Sequence, residues 1–323
     1  MVNYRTIIRV FGSLLMLESV AMFLSFLVSL IYGEHDRLAL LISSAITFFT
    51  GFTAHFACRN YEISVGRREG YIIVTGSWIL FSLFGSLPFI IDGSIPSLTD
   101  SFFETMSGFT TTGASILTDV EGLPHGLLFW RSITQWMGGM GIIVLSLAII
   151  SEIKIGNFQL FAAEVPGVTK DKLHPKVKET AKRLWAIYVV FTIAETALLV
   201  LGGMPLFDAI CHSFSTMSTG GYSTKNASIG AYDSPYIHVV ITLFMFIGGI
   251  NFALAYFAFK GKFRRVFSND EFRFYGYVSL VFTLVVAGVL WYRNGFTPLN
   301  AIVDGAFRSE ERRVGKECRY RWS

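Results

Sequence analysis

Seven runs of apolar residues organise the chain: Phe11–Tyr32, Leu38–Cys58, Tyr71–Ile91, Ser132–Ile150, Leu184–Met204, Pro235–Phe259 and Phe274–Tyr292. Each holds about 19 to 25 residues, and a helix needs roughly 20 to cross a bilayer. The pattern predicts seven membrane-spanning helices. The first run is too long for a signal-peptide core and no small-residue cleavage site follows it, so it is expected to stay in the membrane.

Two intervening segments, Asp92–Arg131 and Pro205–Ser234, are long and partly apolar. Leu98–Phe109 is too short to cross and predicts a re-entrant helix. Irregular backbone after such a helix is tolerated at membrane depth only inside protein or along a watery cavity. SLTDSFFETMSGFTTTGAS (Ser97–Ser115) aligns without a gap on PLFDAICHSFSTMSTGGYS (Pro205–Ser223), at an offset of 108 residues. Asp100 then matches Asp208, Gly113 matches Gly221, and Ser115 matches Ser223. WMGGMGI (Trp136–Ile142) resembles FIGGINF (Phe246–Phe252) at an offset of 110, and PLNAIVDGAF (Pro298–Phe307) matches PLFDAICHSF (Pro205–Phe214) at 93. The unit is span, half-span, loop, span. Because each unit has two spans, successive units start on the same side and the repeats are parallel.

The loops TTTGAS (Thr110–Ser115) and STGGYS (Ser218–Ser223) carry the candidate chemistry. Gly113 and Gly221 let the backbone bend or approach closely. Threonine and serine add hydroxyl oxygens, and rows of carbonyl and hydroxyl oxygens suit a hard cation. The loop follows the carboxyl end of the re-entrant helix, whose partial negative charge faces the cation. Four copies around an axis would close a filter.

Composition narrows the classes. With 52% hydrophobic and 15% charged residues, a disordered chain and a nucleic-acid binder are excluded. The three cysteines and six histidines are scattered, which argues against a disulfide framework or a metal cluster. No nucleotide-binding or hydrolase motif stands in the chain, so neither an enzyme nor a cofactor of its own is expected. With the amino terminus inside, seventeen Lys and Arg fall inside and four outside, which sets that orientation. The outer segments carry Asp92, Asp100, Glu104, Asp119, Glu121, Asp208, Asp233 and Asp304, a charge that would concentrate cations. The basic inner segment Ser151–Arg183 suits anionic membrane lipid or a regulatory partner.

Other polar residues have two readings each. Glu18, in the first span, reads as structural, satisfied by a serine or a water. Glu195, in the fifth span, lies in a pore repeat and is either structural or functional. Glu104 either adds to the field at the filter or supports packing. Arg131 either anchors to headgroups or pairs with Glu104 or Glu121. The glycine pairs 138–139 and 248–249 allow close helix packing, with a gate hinge as the sharper alternative.

The motifs SGFTTTGAS, FWRSITQWMGGMGIIVL (Phe129–Leu145), AEVPG (Ala163–Gly167), HSFSTMSTGGYST and GGINFAL, in this order, resemble the membrane subunit of Trk-type bacterial potassium uptake systems, in the Trk/Ktr/HKT superfamily. The resemblance covers about residues 1–307. It implies an all-α polytopic membrane protein with two leading transmembrane helices plus parallel repeats of helix, re-entrant pore loop and helix around one potassium path. It implies K+ coordination by Thr111, Thr112 and Gly113 in one strand and Thr219, Gly220 and Gly221 in the other, with Thr110 and Ser218 as accessory positions. It further implies a homodimer in the bacterial cytoplasmic (inner) membrane, with a separate nucleotide-binding regulatory ring on the cytosolic face and symport as one mode of coupling. The competing reading is a secondary transporter of another solute that uses broken helices.

The expected organisation is two leading helices over 1–68, repeat one over 69–155, a cytosolic linker and repeat two over 156–265, and a partial repeat three over 266–307. The run RSEERRVGKECRYRWS (Arg308–Ser323) has no Thr-Gly strand where the third filter glycine should fall, near position 314. It reads as a non-native tail on a truncated third repeat, and its charges should carry it out of the packed structure.

Overall fold

The structure, a computed structural model, describes residues 2–59, 67–150, 177–250, 252–294 and 297–314. The AEVPG loop and residues 315–323 lie outside them. Among the described residues every regular element is helical. Five stretches there are long and apolar enough to cross a membrane: Tyr4–Tyr32, Arg37–Ala57, Arg68–Asp92, Lys182–Leu201 and Asp270–Tyr292. The chain is a multi-pass membrane protein, and it divides into two compact units, Met1–Lys182 and Arg183–Ser323.

In the first unit, α1 (Tyr4–Tyr32) and α2 (Arg37–Ala57) form a hairpin. They cross at Gly12 and Gly51, where a β-carbon on either would strike the other's carbonyl oxygen. Small residues let helix backbones meet this closely when apolar lipid supplies no driving force of its own. The third apolar run is α3 (Arg67–Gly85) and α4 (Leu87–Asp92), interrupted at Ser86, with Pro88 in the first turn of α4. α5 (Leu98–Phe109) has 12 residues, about 18 Å, and cannot cross. Ser97 caps its start by accepting the Asp100 N–H.

The fourth run lies in α6 (His125–Ile150), whose 26 residues reach about 39 Å. Its amino terminus is capped from another element. Glu34 accepts the His125 N–H, and Asp36 accepts the Leu127 N–H at 3.0 Å. Both carboxylates come from the α1–α2 turn and sit at the positive end of the α6 dipole. The turn thus fixes where α6 begins, and α6 in turn buttresses α5.

The second unit repeats the order. α7 (Val177–Leu201) leads to α8 (Leu206–Met217), again 12 residues. After a short 3-10 turn at Ser228–Ala231 comes α9 (Pro235–Gly248). The sixth apolar run is not one continuous helix, contrary to the sequence expectation. α9 stops at Gly249 and α10 (Phe252–Phe259) restarts after a turn, so neither piece spans alone. Two consecutive glycines weaken the helix there.

α11 (Phe263–Phe267) joins to α12 (Asp270–Asn294), which forms a hairpin with α13 (Pro298–Val314). The sequence places residues from 308 onward outside the packing, and here the structure differs. α13 runs on to Val314, Glu310 is buried, and the Tyr275 hydroxyl donates to its carboxylate at 2.8 Å. Ser309 donates to the Ser279 carbonyl. The expectation fails at these residues because α12 supplies a donor for the acid. Where repeats one and two leave the helix for a Thr-Gly strand, this third helix continues.

Candidate ion filter

Both re-entrant helices end in the same hydrogen-bonded geometry. At the end of α5, Thr111 N–H donates to Gly108 O at 3.0 Å and Thr112 N–H donates to Ser107 O at 2.9 Å. At the end of α8, Thr219 N–H donates to Thr216 O and Gly220 N–H to Ser215 O, both at 2.9 Å. These are the paired bonds of a Schellman ending, which puts the residue after the cap in the left-handed conformation. That residue is usually glycine. Here it is threonine both times, with φ of 54° at Thr111 and 56° at Thr219.

Left-handed backbone costs a β-branched residue roughly 1–2 kcal/mol. Strain held identically at two sites points to a use for the threonine. Two residues on, Gly113 and Gly221 also take positive φ, 80° and 97°. Two left-handed residues within three positions turn the chain out of the helix into an irregular segment, the filter strand, that follows its carboxyl end. Thr110 and Ser218 occupy the caps. The Thr110 hydroxyl donates to Met106 O and pairs with the Thr112 hydroxyl at 2.8 Å. In the second strand burial alternates: Ser218, Gly220, Tyr222 and Thr224 are buried, while Thr219, Gly221 and Ser223 are partly open.

Different side chains hold the two strands in place. In the first unit Glu104, on α5, accepts from the Ser115 hydroxyl at 3.0 Å and from the Ile116 N–H at 3.0 Å. Arg131, on α6, meets the same carboxylate through Nε and Nη2, both at 2.9 Å. Its Nη2 also reaches Ser115. Both residues are buried, so the ion pair is a three-way tie between re-entrant helix, strand and α6. In the second unit Asp208 accepts from the Thr224 hydroxyl at 2.6 Å and the Tyr232 hydroxyl at 2.9 Å. Burial, then the Asp208 charge, push the Tyr232 phenol well above its ordinary range.

The glycine pairs also act on these helix ends. Gly138 faces the carbonyl of Phe109, the last residue of α5. Gly248 lies on the carbonyl of Met217, the last residue of α8, where a β-carbon would make ordinary contact at 3.4 Å. Glu195 is fully buried in α7, ahead of the second re-entrant helix. Among the described residues no group of three or more His, Cys, Asp or Glu could hold a metal ion.

The sequence reading missed the left-handed threonines, the Asp208–Thr224–Tyr232 tie and the contact of Gly138 with Phe109. The recurrence of threonine at one register was the available signal for the first.

The fold is that of a multi-pass helical membrane protein in which two half-spans are each followed by a hydroxyl-rich segment. Residues 37–302 match the TrkH family, described as cation transport proteins. The chain belongs to that family. It is 42% identical over 311 residues to the Trk system potassium uptake protein TrkH of Escherichia coli, covering 94% of this chain and 64% of that one. It is 36% identical over 293 residues to the Escherichia coli protein TrkG, covering 90% and 60%. The crystal structure of the potassium transporter TrkH from Vibrio parahaemolyticus superposes with a TM-score of 0.82 at 36% identity, over 95% of this chain and 64% of that one. The chain thus spans about two thirds or less of the length of these relatives.

Proposed function

We propose that this chain forms part of the translocating subunit of a Trk-type potassium uptake system, with K+ coordinated by oxygens of Thr111, Thr112 and Gly113 and of Thr219, Gly220 and Gly221. The supporting observation is the duplicated strained ending: threonine is held left-handed at both helix ends by the same two hydrogen bonds. Thr110 and Ser218 cap the helices, and Glu104 with Arg131 holds the first strand. Glu195 is a supporting acid of the second repeat.

On this reading repeat one occupies 69–155, repeat two follows the linker in 156–265, and residues 266–307 begin repeat three. The amino terminus is cytoplasmic and the chain sits in the bacterial inner membrane. The basic linker meets anionic lipid or a nucleotide-binding ring, and two copies form a homodimer. The break after Gly248 fits a filter-supporting role, because Gly248 packs on the end of α8.

The test is Gly113→Ser and Gly221→Ser in the full-length protein, expressed in a strain lacking its own potassium uptake. A side chain at a left-handed position crowds the carbonyl row and should weaken discrimination of K+ from Na+. Unchanged Rb+ and Na+ fluxes in both variants would count against these strands as the filter.

A further inference from the structure

Glu18 is a fully buried acid in the middle of α1. Among the described residues neither of its carboxylate oxygens has a hydrogen-bond partner. Its surroundings are defined by Gly85, at the end of α3. A β-carbon at Gly85 would lie 3.1 Å from Glu18 Oε1, 3.0 Å from a ring carbon of Phe109 and 3.2 Å from the methyl of Thr105. The acid therefore sits behind the last turn of α5, one residue before the first strand begins.

Polar groups in this pocket are turned elsewhere. Thr105 presents its methyl to Gly85, and its hydroxyl donates to the Ser82 carbonyl at 3.0 Å. The Gly85 carbonyl takes the indole N–H of Trp130 at 2.9 Å. Several charged and titratable groups of the surrounding helices have partners elsewhere. On α1, Arg9 donates to the Arg59 carbonyl. On α2, His55 pairs with Ser13. On α3, Glu69 accepts the Asn3 N–H. On α5 and α6, Glu104 and Arg131 hold each other, and His125 holds Glu34.

We propose that Glu18 is a proton-binding site, occupied at neutral pH, at the back of the first re-entrant helix. An ionised carboxylate buried without a partner is strongly disfavoured in a membrane interior. The carboxyl end of α5, with its partial negative charge, lies beside it and disfavours the anion further. On the Gly85 side, the groups nearest to where Oε1 lies are a methyl of Thr105 and the ring of Phe109, neither of which can hydrogen-bond a carboxylate. A bound proton neutralises the group. The carboxylic acid packs like a neutral side chain against Gly85 and Phe109, and losing its proton would place a charge where α5 is anchored.

The experiment does not depend on which ion the strands select. Infrared spectra of the full-length protein in lipid bilayers are compared for wild type, Glu18→Gln and Gly85→Ala at neutral pH. The expected result is a protonated-carboxyl carbonyl band in wild type that is missing from Glu18→Gln. Gly85→Ala, which sets a methyl against Oε1, should shift that band. Isotope-labelled glutamate assigns the band to a glutamate if Glu18→Gln does not fold. Identical carboxyl regions in wild type and Glu18→Gln, or a glutamate band that Gly85→Ala leaves in place, overturns the proton site. A second readout is thermal stability: the wild type should lose stability relative to Glu18→Gln as pH rises, and parallel curves would also overturn it.

Discussion

Gly138 lies against the carbonyl oxygen of Phe109, closer than any side chain would allow: a β-carbon there would fall well under 3.0 Å from that oxygen. The carbonyl belongs to the last residue of α5, so α6 is seated directly on the helix end that launches the first strand. Gly248 stands in the matching place in the second unit, but with room for a β-carbon at 3.4 Å.

That difference predicts unequal effects of one substitution. Gly138→Ala forces backbone apart and should cost about 1–3 kcal/mol or more, because strained overpacking relaxes poorly when the obstacle is main chain. Gly248→Ala should be nearly neutral. Thermal unfolding of both purified variants, with ion uptake beside it, checks the pair. Equal losses would mean that the two glycines do not differ as packing contacts.

The tie between Glu104 and Arg131 gives a second prediction. Glu104→Gln leaves a buried guanidinium without its counter-charge, and breaking a buried pair from one side costs about 3–5 kcal/mol. It also weakens the hold on Ser115 and Ile116. Adding Arg131→Met should recover much of the stability but not the position of the strand. The measurement is a double-mutant cycle of melting temperatures together with K+ and Na+ fluxes. If the double variant is as unstable as Glu104→Gln alone, the cost does not come from the orphaned charge.

A third prediction concerns Thr111 and Thr219. Glycine relieves the left-handed strain of roughly 1–2 kcal/mol but costs about 0.5–1 kcal/mol in chain entropy. Thr111→Gly and Thr219→Gly should therefore be neutral to slightly stabilising. Alanine keeps the strain and should be the less stable replacement. Ion discrimination should fall in both, since both lose the hydroxyl. A glycine variant that unfolds earlier than the alanine variant would contradict the strain assigned here.

Much of this was legible in the chain because the repeat was. The offset of 108 aligned Thr111 with Thr219 and Gly113 with Gly221, and their backbone angles agree accordingly. Which residue takes the first left-handed turn was hidden, since local rules assign that conformation to the nearby glycine. Tertiary partners were hidden for another reason. Asp208 and Tyr232 are 24 residues apart, and only the fold shows that a phenol reaches the acid. Glu310 was expected to be too costly to bury, yet Tyr275, 35 residues earlier, supplies its donor. Glu18 was expected to find a serine, but the Ser19 hydroxyl bonds within its own helix and the Thr105 hydroxyl bonds to the Ser82 carbonyl of α3. Partner choice of this kind leaves no periodic trace.

The last prediction uses the Asp208–Tyr232 bond and pH. Burial first, and the Asp208 charge second, raise the Tyr232 phenol above its ordinary value of 10.0. A group with a raised folded-state value favours its protonated form in the native protein. Its contribution is therefore fully present below about 10 and is lost as pH rises past that value, where the unfolded chain ionises first. Tyr232→Phe removes both the bond and the titration. Below that range the variant should be less stable by about 1–3 kcal/mol, because Asp208 loses a donor but keeps Thr224. Above it, the gap between variant and wild type should narrow. Melting temperatures across the alkaline range test this: a gap that stays constant would mean that the phenol of Tyr232 does not titrate differently in the folded protein.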